Sequence, residues 1–283
     1  MNIRQTFVAV AFCIVMFAAV TDKLRAAPIN VPNASFESPA TTFVDVNVDS
    51  WQMSPKPSWY DESGGYLWIQ LTGVFLNLPP GDPDHIDNCD ANQAVWFFAL
   101  PEVELFQELT VIFEVGQSYN LTVGVIGGGG NMKDDVPIEI RLYYRDAADE
   151  KVTVGAKTYT YDLSSGYVKH FIDVQLDVPQ VKETDPWAGK NIGVQLISTL
   201  TFPEDLDPVT GRAGGYWDLD NVRLKGSWPD LTGDWFVNLE DIAVMAREWR
   251  LCTGTTADLT GEGCVNMKDL KILVELWLES TLE

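Results

Sequence analysis

From residue 29 to 225 the chain is written in short apolar or alternating runs separated by Gly, Pro, Asn and Asp, and this rhythm restricts the fold more than any other feature. Runs at 66–71, 93–99, 110–115, 119–126, 138–144, 168–178, 191–200 and 216–224 each have the length of one strand, and a helical period is nearly absent among them. Eight or more strands joined by long connections in about 200 residues predict an all-β sandwich of the jelly-roll kind rather than a closed barrel. The four glycines at 127–130 read as a flexible turn, since no Gly-Lys-Ser/Thr follows to make a phosphate loop.

The N-terminus reads differently. Arg4 precedes an apolar run at 7–20, and the small pair Ala26 and Ala27 follows, so residues 1–27 are expected to be a secretory signal peptide. The run is too short to cross a bilayer comfortably, and no later stretch is long and apolar enough for a membrane span. The expected product is secreted, extracellular or at the cell surface. The full chain's 19 Lys and Arg against 41 Asp and Glu give a formal charge of -22, which excludes a nucleic-acid binder because counterion release needs clustered cations. With 2 His there is no multi-His metal site, and neither sits in a nucleophile motif. Export permits disulfides, and the expected bond joins Cys252 to Cys264, leaving Cys89 single.

The composition changes at 226–229, after which residues 230–241 and 258–269 are copies of one twelve-residue unit. Each copy places side-chain oxygens at positions 1, 3, 5, 9 and 12 and a carbonyl at position 7, the spacing of a calcium loop. A helical stripe follows each: Ile242, Met245, Ala246 and Trp249, then Leu270, Leu273, Val274, Leu276 and Trp277. Acidic helix caps without metal are the plainer alternative, but capping leaves position 5 unexplained. The tandem unit resembles a type I dockerin. That resemblance implies Ca2+ held by Asp230, Thr232, Asp234, the Phe236 carbonyl, Asn238 and Asp241, and a second ion held by Asp258, Thr260, Glu262, the Cys264 carbonyl, Asn266 and Asp269. It also implies a cohesin-like protein partner. The pattern departs from the family at Thr232 and Thr260, at Trp235 where the turn prefers Gly, at Glu262, and at the partner-contacting pairs Leu239-Glu240 and Met267-Lys268.

The segments Asn33-Ala34-Ser35-Phe36-Glu37 and Asp220-Asn221-Val222 bracket the strand region. They resemble the first and last strands of galactose-binding-like jelly rolls among carbohydrate-binding modules, which implies a structural calcium at Glu37, Asp220 and the Ser35 carbonyl. Among the large aromatics, Trp59 and Tyr60, in a Pro- and Ser-containing loop, are the expected platform for a polysaccharide ligand. Trp68 and Trp96, in alternating runs, are expected in the core, and the carboxylate-rich stretch 82–90 is expected to be a solvated loop. The expected organisation is a signal peptide at 1–27, a β-sandwich of carbohydrate-binding type at 28–225, and a small α-helical dockerin-like calcium domain at 226–283. The expected function is non-catalytic polysaccharide binding or assembly at the cell surface. A secreted jelly-roll glycoside hydrolase or lyase is the rival, with Glu102 and Glu104 as its acids and Glu108 on the opposite strand face; these acids read better as a polar strand edge. A structural surface protein without glycan ligand is the third reading.

Overall fold

The computed structural model describes residues 24–25, 27–201, 214–227, 231–232, 236–253 and 255–279. Two antiparallel sheets face each other. One runs β10 (Lys151–Thr160), β9 (Pro137–Arg145), β12 (Asn191–Ser198), β7 (Glu104–Ile112), β4 (Gln52–Met53). The other runs β11 (Ile172–Val178), β8 (Ser118–Gly129), β13 (Tyr216–Ser227), β6 (Gln93–Phe98), β5 (Thr72–Leu76), β3 (Val44–Asp45), with β2 (Ala27–Ile29) pairing along the later part of β13. Alternation drives the packing, because successive side chains of a strand point to opposite faces. Ile138, Ile140, Leu142 and Tyr144 of β9 and Leu121, Val123 and Val125 of β8 turn into one shared core with Val95, Phe97, Trp217 and Leu219. Each fully buried side chain of this size contributes roughly 1.5–3 kcal/mol.

Three expectations change. The run at 66–71 is not a strand: Asp61 caps a 3-10 turn at Glu62–Gly64, and a second turn at Trp68–Gln70 is closed by Gln70 accepting from the Leu67 amide. The local side-chain bonds outcompete a ladder there. Strand β10 went unforeseen, since its alternation is interrupted where the register shifts between Thr153 and Gly155. The glycines 127–129 continue β8, and the rings of Trp217 and Tyr161 lie against Gly127 where a side chain would collide with them.

Beyond the sandwich, β1 (Leu24–Arg25) pairs with β14 (Phe236–Val237), and two helices follow, α1 (Leu239–Glu248) and α2 (Met267–Glu279). Met245 and Leu273 meet Val237, Ala257, Leu259 and Val265 in a separate small core, with Ile242, Trp249 and Leu270 against it. Ala246 and Val274 of the expected stripes are exposed. Asn238 caps α1 in a capping box with Asp241, and a disulfide joins Cys252 to Cys264. Among the described residues, no helix is long and apolar enough to cross a membrane. The expected signal peptide, apart from its last few residues, lies outside the described residues, as do Asp230, Asp234 and Trp235.

Candidate functional site

The outer face of the larger sheet carries a cavity of about 800 Å³. Its floor follows from the register of β13 against β6, which pairs Asp218 with Trp96 and Tyr216 with Phe98. Because Trp217, Leu219, Val95 and Phe97 point into the core, these four side chains point outward together. Phe43, Val44, Tyr66, Gln70, Leu78, Asp84, Ile86 and Tyr167 wall the cavity. Two glycines shape the floor. A Cβ on Gly73 would stand 2.2 Å from the Trp96 ring, and one on Gly129 would stand 2.2 Å from the Tyr216 ring, so both rings lie against bare backbone. The indole of Trp96 is fixed further by its Nε1 donating to the Gln70 carbonyl at 3.1 Å.

Asp218 is the buried acid of this floor, 4% exposed. Tyr167 Oη donates to its Oδ2 at 3.1 Å. Burial pushes the Asp218 pKa up to about 7, against the smaller lowering effect of that hydrogen bond. Burial, and then the carboxyl beside it, push Tyr167 up as well. Among the described lining residues the charged groups are Asp218 and Asp84, both acidic. Asp84 stands at the rim, paired with Lys169, which also donates to the Pro83 carbonyl. Asn88 and Phe171 bond each other twice, at 3.0 and 2.7 Å, so the wall at 82–90 is fastened to the segment that delivers Tyr167. That acidic stretch is largely solvated, as expected, and through Asp84 and Ile86 it also walls the cavity.

The expected sugar platform is not assembled. Tyr60 is 4% exposed, and Trp59 is half-buried, packed edge-on against Trp68 with its Nε1 donating to Glu102 at 3.2 Å, so the two do not form a shared open face. Trp68 is in the core as expected, but Trp96 is cavity floor. The rival acids are engaged too: Glu104 is buried against Lys151 and Gln195, and Glu108 pairs with Arg145. Both lie on the outer face of β7, which corrects the expectation that Glu108 opposes Glu104; the strand is flanked by β12 and β4 and is no edge.

Glu37 accepts from the amides of Asn92 and Gln93, Asp220 accepts from those of Asp90 and Asn221, and the Ser35 hydroxyl donates to Asp90. The structure uses these acids to fasten residues 90–93 to the two strand ends, and burial raises the Asp220 pKa to about 7. Cys89, the free cysteine among the described residues, lies beside them, its thiol pushed up by burial and then by Asp220.

In the second acidic loop the Thr260 hydroxyl touches Asp258 at 3.3 Å and Asp269 at 3.0 Å, so positions 1, 3 and 12 converge. Asp258 and Asp269 are buried, while Glu262 turns outward to Lys268 and Asn266. Two buried carboxylates sharing one hydroxyl fit a cation, with Glu262 and Asn266 rotating to join. In the first loop Asp241 accepts from the amides of Leu231, Thr232 and Asn238. Among the described residues no three His, Cys, Asp or Glu side chains gather into a ready chelate, so hydroxyl and carbonyl oxygens would have to complete any shell.

A family model described as HpiC1 cyclase matches residues 27–225, which contain both sheets and the whole cavity. The chain belongs to the HpiC1-like family. This overturns the reading as a carbohydrate-binding module with a dockerin, and with it the non-catalytic polysaccharide role and the cohesin-like partner; no dockerin model matches. Short bookend motifs are shared by many sandwiches and carry no information about the outer face of the sheet. Among curated proteins none matches the chain. Solved structures agree on the fold. The Stig cyclase FisC from Fischerella sp. TAU, in complex with (3Z)-3-(1-methyl-2-pyrrolidinylidene)-3H-indole, is 21% identical with a TM-score of 0.52, covering 72% of this chain and 100% of its own. A cyclase from Fischerella sp. TAU in complex with 4-(1H-indol-3-yl)butan-2-one is 21% identical with a TM-score of 0.50, over 72% and 100% of the two chains.

Sequence reasoning missed Asp218, Tyr167 and Tyr216. A signal was present: in Tyr216-Trp-Asp218-Leu-Asp220 two acids alternate with large apolar residues, which puts both on one face of a strand whose other face is core.

Proposed function

We propose that the chain is a small-molecule cyclase in which Asp218 acts as general acid on a neutral, indole-bearing substrate held over the larger sheet. The observation that carries this reading is a buried carboxyl with pKa raised to about 7 on the floor of an aromatic cavity. An acid poised near neutrality is protonated often enough to donate and basic enough to take a proton back. Protonating an alkene carbon of the substrate places a cation among Trp96, Phe98, Tyr66 and Tyr216, and each aromatic face stabilises it by roughly 0.5–2 kcal/mol. An electron-rich ring carbon closes on that cation. The proton released on rearomatisation returns to the Asp218 carboxylate, so substrate and product are isomers and no co-reactant is consumed. Family membership supports cyclisation as the reaction class. The indole compounds held by the Fischerella cyclases support the substrate class. Calorimetry with 4-(1H-indol-3-yl)butan-2-one tests the aromatic site: wild type is expected to bind and Trp96→Ala to lose about tenfold in affinity, whereas equal affinity in the two proteins would remove the cavity from the account.

The C-terminal loops are a separate proposal. Calcium there would be held by Asp258, Thr260, Glu262, Asn266, Asp269 and the Cys264 carbonyl, and in the first loop by Thr232, Asn238, Asp241 and the Phe236 carbonyl with Asp230 and Asp234. The convergence of Asp258, Thr260 and Asp269 supports it. The ion would stabilise α1 and α2. Export is proposed on the N-terminal sequence and on the Cys252–Cys264 bond, which persists in oxidising compartments.

A further inference from the structure

A carboxylic acid has two oxygens, and a directed proton transfer requires that the proton sit on the correct one. Asp218 lies in β13 with little freedom, flanked by Trp96 on β6 and by Ile126 on β8, neither of which offers a polar side-chain atom to it at hydrogen-bond distance. Tyr167 is the side chain among the described residues that bonds it, through Oδ2 at 3.1 Å. A phenol facing a neutral carboxyl donates to the carbonyl-type oxygen, which leaves the acidic proton on the other one.

We propose that Tyr167 is a positioning residue: by donating to Asp218 Oδ2 it fixes the carboxyl rotamer and places the transferable proton on Oδ1, toward the cavity. The inference rests on the reading of Asp218 as the acid. Tyr167 can serve this role because its own backbone is held from outside the sheet. The segment carrying it is anchored two residues on by Lys169, which grips Asp84 and the Pro83 carbonyl, and four residues on by the double bond between Asn88 and Phe171. The Asp87 amide adds a bond to the Lys169 carbonyl at 3.3 Å. Cavity wall and acid orientation are thus one connected unit. Tyr216, the other phenol at the floor, instead rests its ring on Gly129 and packs against Phe98 at 6.1 Å.

The carbonyl stretch of the protonated Asp218 carboxyl reads this bond without any substrate. It is isolated as the infrared difference between wild-type full chain and Asp218→Asn, recorded at acidic pH where the protonated-carboxyl band is present. A hydrogen bond accepted at the carbonyl oxygen lowers that frequency. Tyr167→Phe is expected to move the band to higher frequency, whereas Tyr216→Phe leaves it in place. Binding of 4-(1H-indol-3-yl)butan-2-one by Tyr167→Phe is measured alongside, since Tyr167 also walls the cavity. An unmoved band in Tyr167→Phe overturns the proposal, and an unmoved band with lost affinity assigns the residue to the wall alone. The acid reading is judged separately, by whether Asp218→Asn still turns over substrate.

Discussion

Asp218 is held in its neutral form by desolvation, since a carboxylate at a site 4% exposed loses most of its hydration and regains, among the described residues, one phenol hydrogen bond. The same burial that raises its pKa supplies a dry, aromatic chamber for a cation to develop in, so acid strength and cation stabilisation come from one structural choice. The two floor glycines are equally specific. Adding a methyl at Gly73 puts an atom 2.2 Å from the Trp96 ring, which cannot be relieved without lifting the indole off the floor. Gly73→Ala is therefore expected to weaken binding of 4-(1H-indol-3-yl)butan-2-one by about tenfold or more while leaving the far-ultraviolet circular dichroism of the sheets intact; an unchanged affinity would show that the placement of Trp96 is not what shapes the site.

At the scale of elements, the sandwich was legible and the site was not, for one physical reason. Core-facing positions obey period two and hydrophobicity, so β6, β8, β9, β12 and β13 could be read from their alternation. The outer face obeys register between strands distant in sequence: nothing local brings Asp218 beside Trp96, nor Tyr167 across to Asp218. The aromatics that looked loop-borne, Trp59 and Tyr60, were drawn into the core by the turns around Trp68, which sequence alternation had read as a strand. The acidic loops were legible as loops because their spacing is local. If they bind calcium, chelation by EDTA is expected to lower the melting temperature of the C-terminal helices in the full chain. At about a hundred times its dissociation constant the ion would contribute roughly 2.7 kcal/mol. Asp269→Ala should remove the part of the response that belongs to the second loop, and a melting profile indifferent to EDTA would rule the ion out in both loops.

Taken as a whole, the molecule carries a charge of -22, yet two of its acids, Asp218 and Asp220, are held near pKa 7 by burial. Unfolded, both would release their protons near pH 4. The folded state therefore binds more protons between about pH 4 and pH 7, so the stabilisation is complete below that window and is lost as pH rises through it. A melting temperature lower at pH 8 than at pH 5 by on the order of 5 °C is expected, with the difference reduced in Asp218→Asn. A melting temperature that rises across this window would contradict the burial of both acids.

The central claim is that the Asp218 proton drives an isomerising ring closure. The direct measurement is turnover of a 3-alkenylindole by wild type and Asp218→Asn, followed by mass spectrometry and chromatography across pH 5 to 9. The account predicts a cyclised product of unchanged mass, a rate that falls as pH rises through about 7, and a loss of roughly 10²–10⁴-fold in Asp218→Asn. Full activity in Asp218→Asn, with the variant folded and still binding 4-(1H-indol-3-yl)butan-2-one, would contradict it.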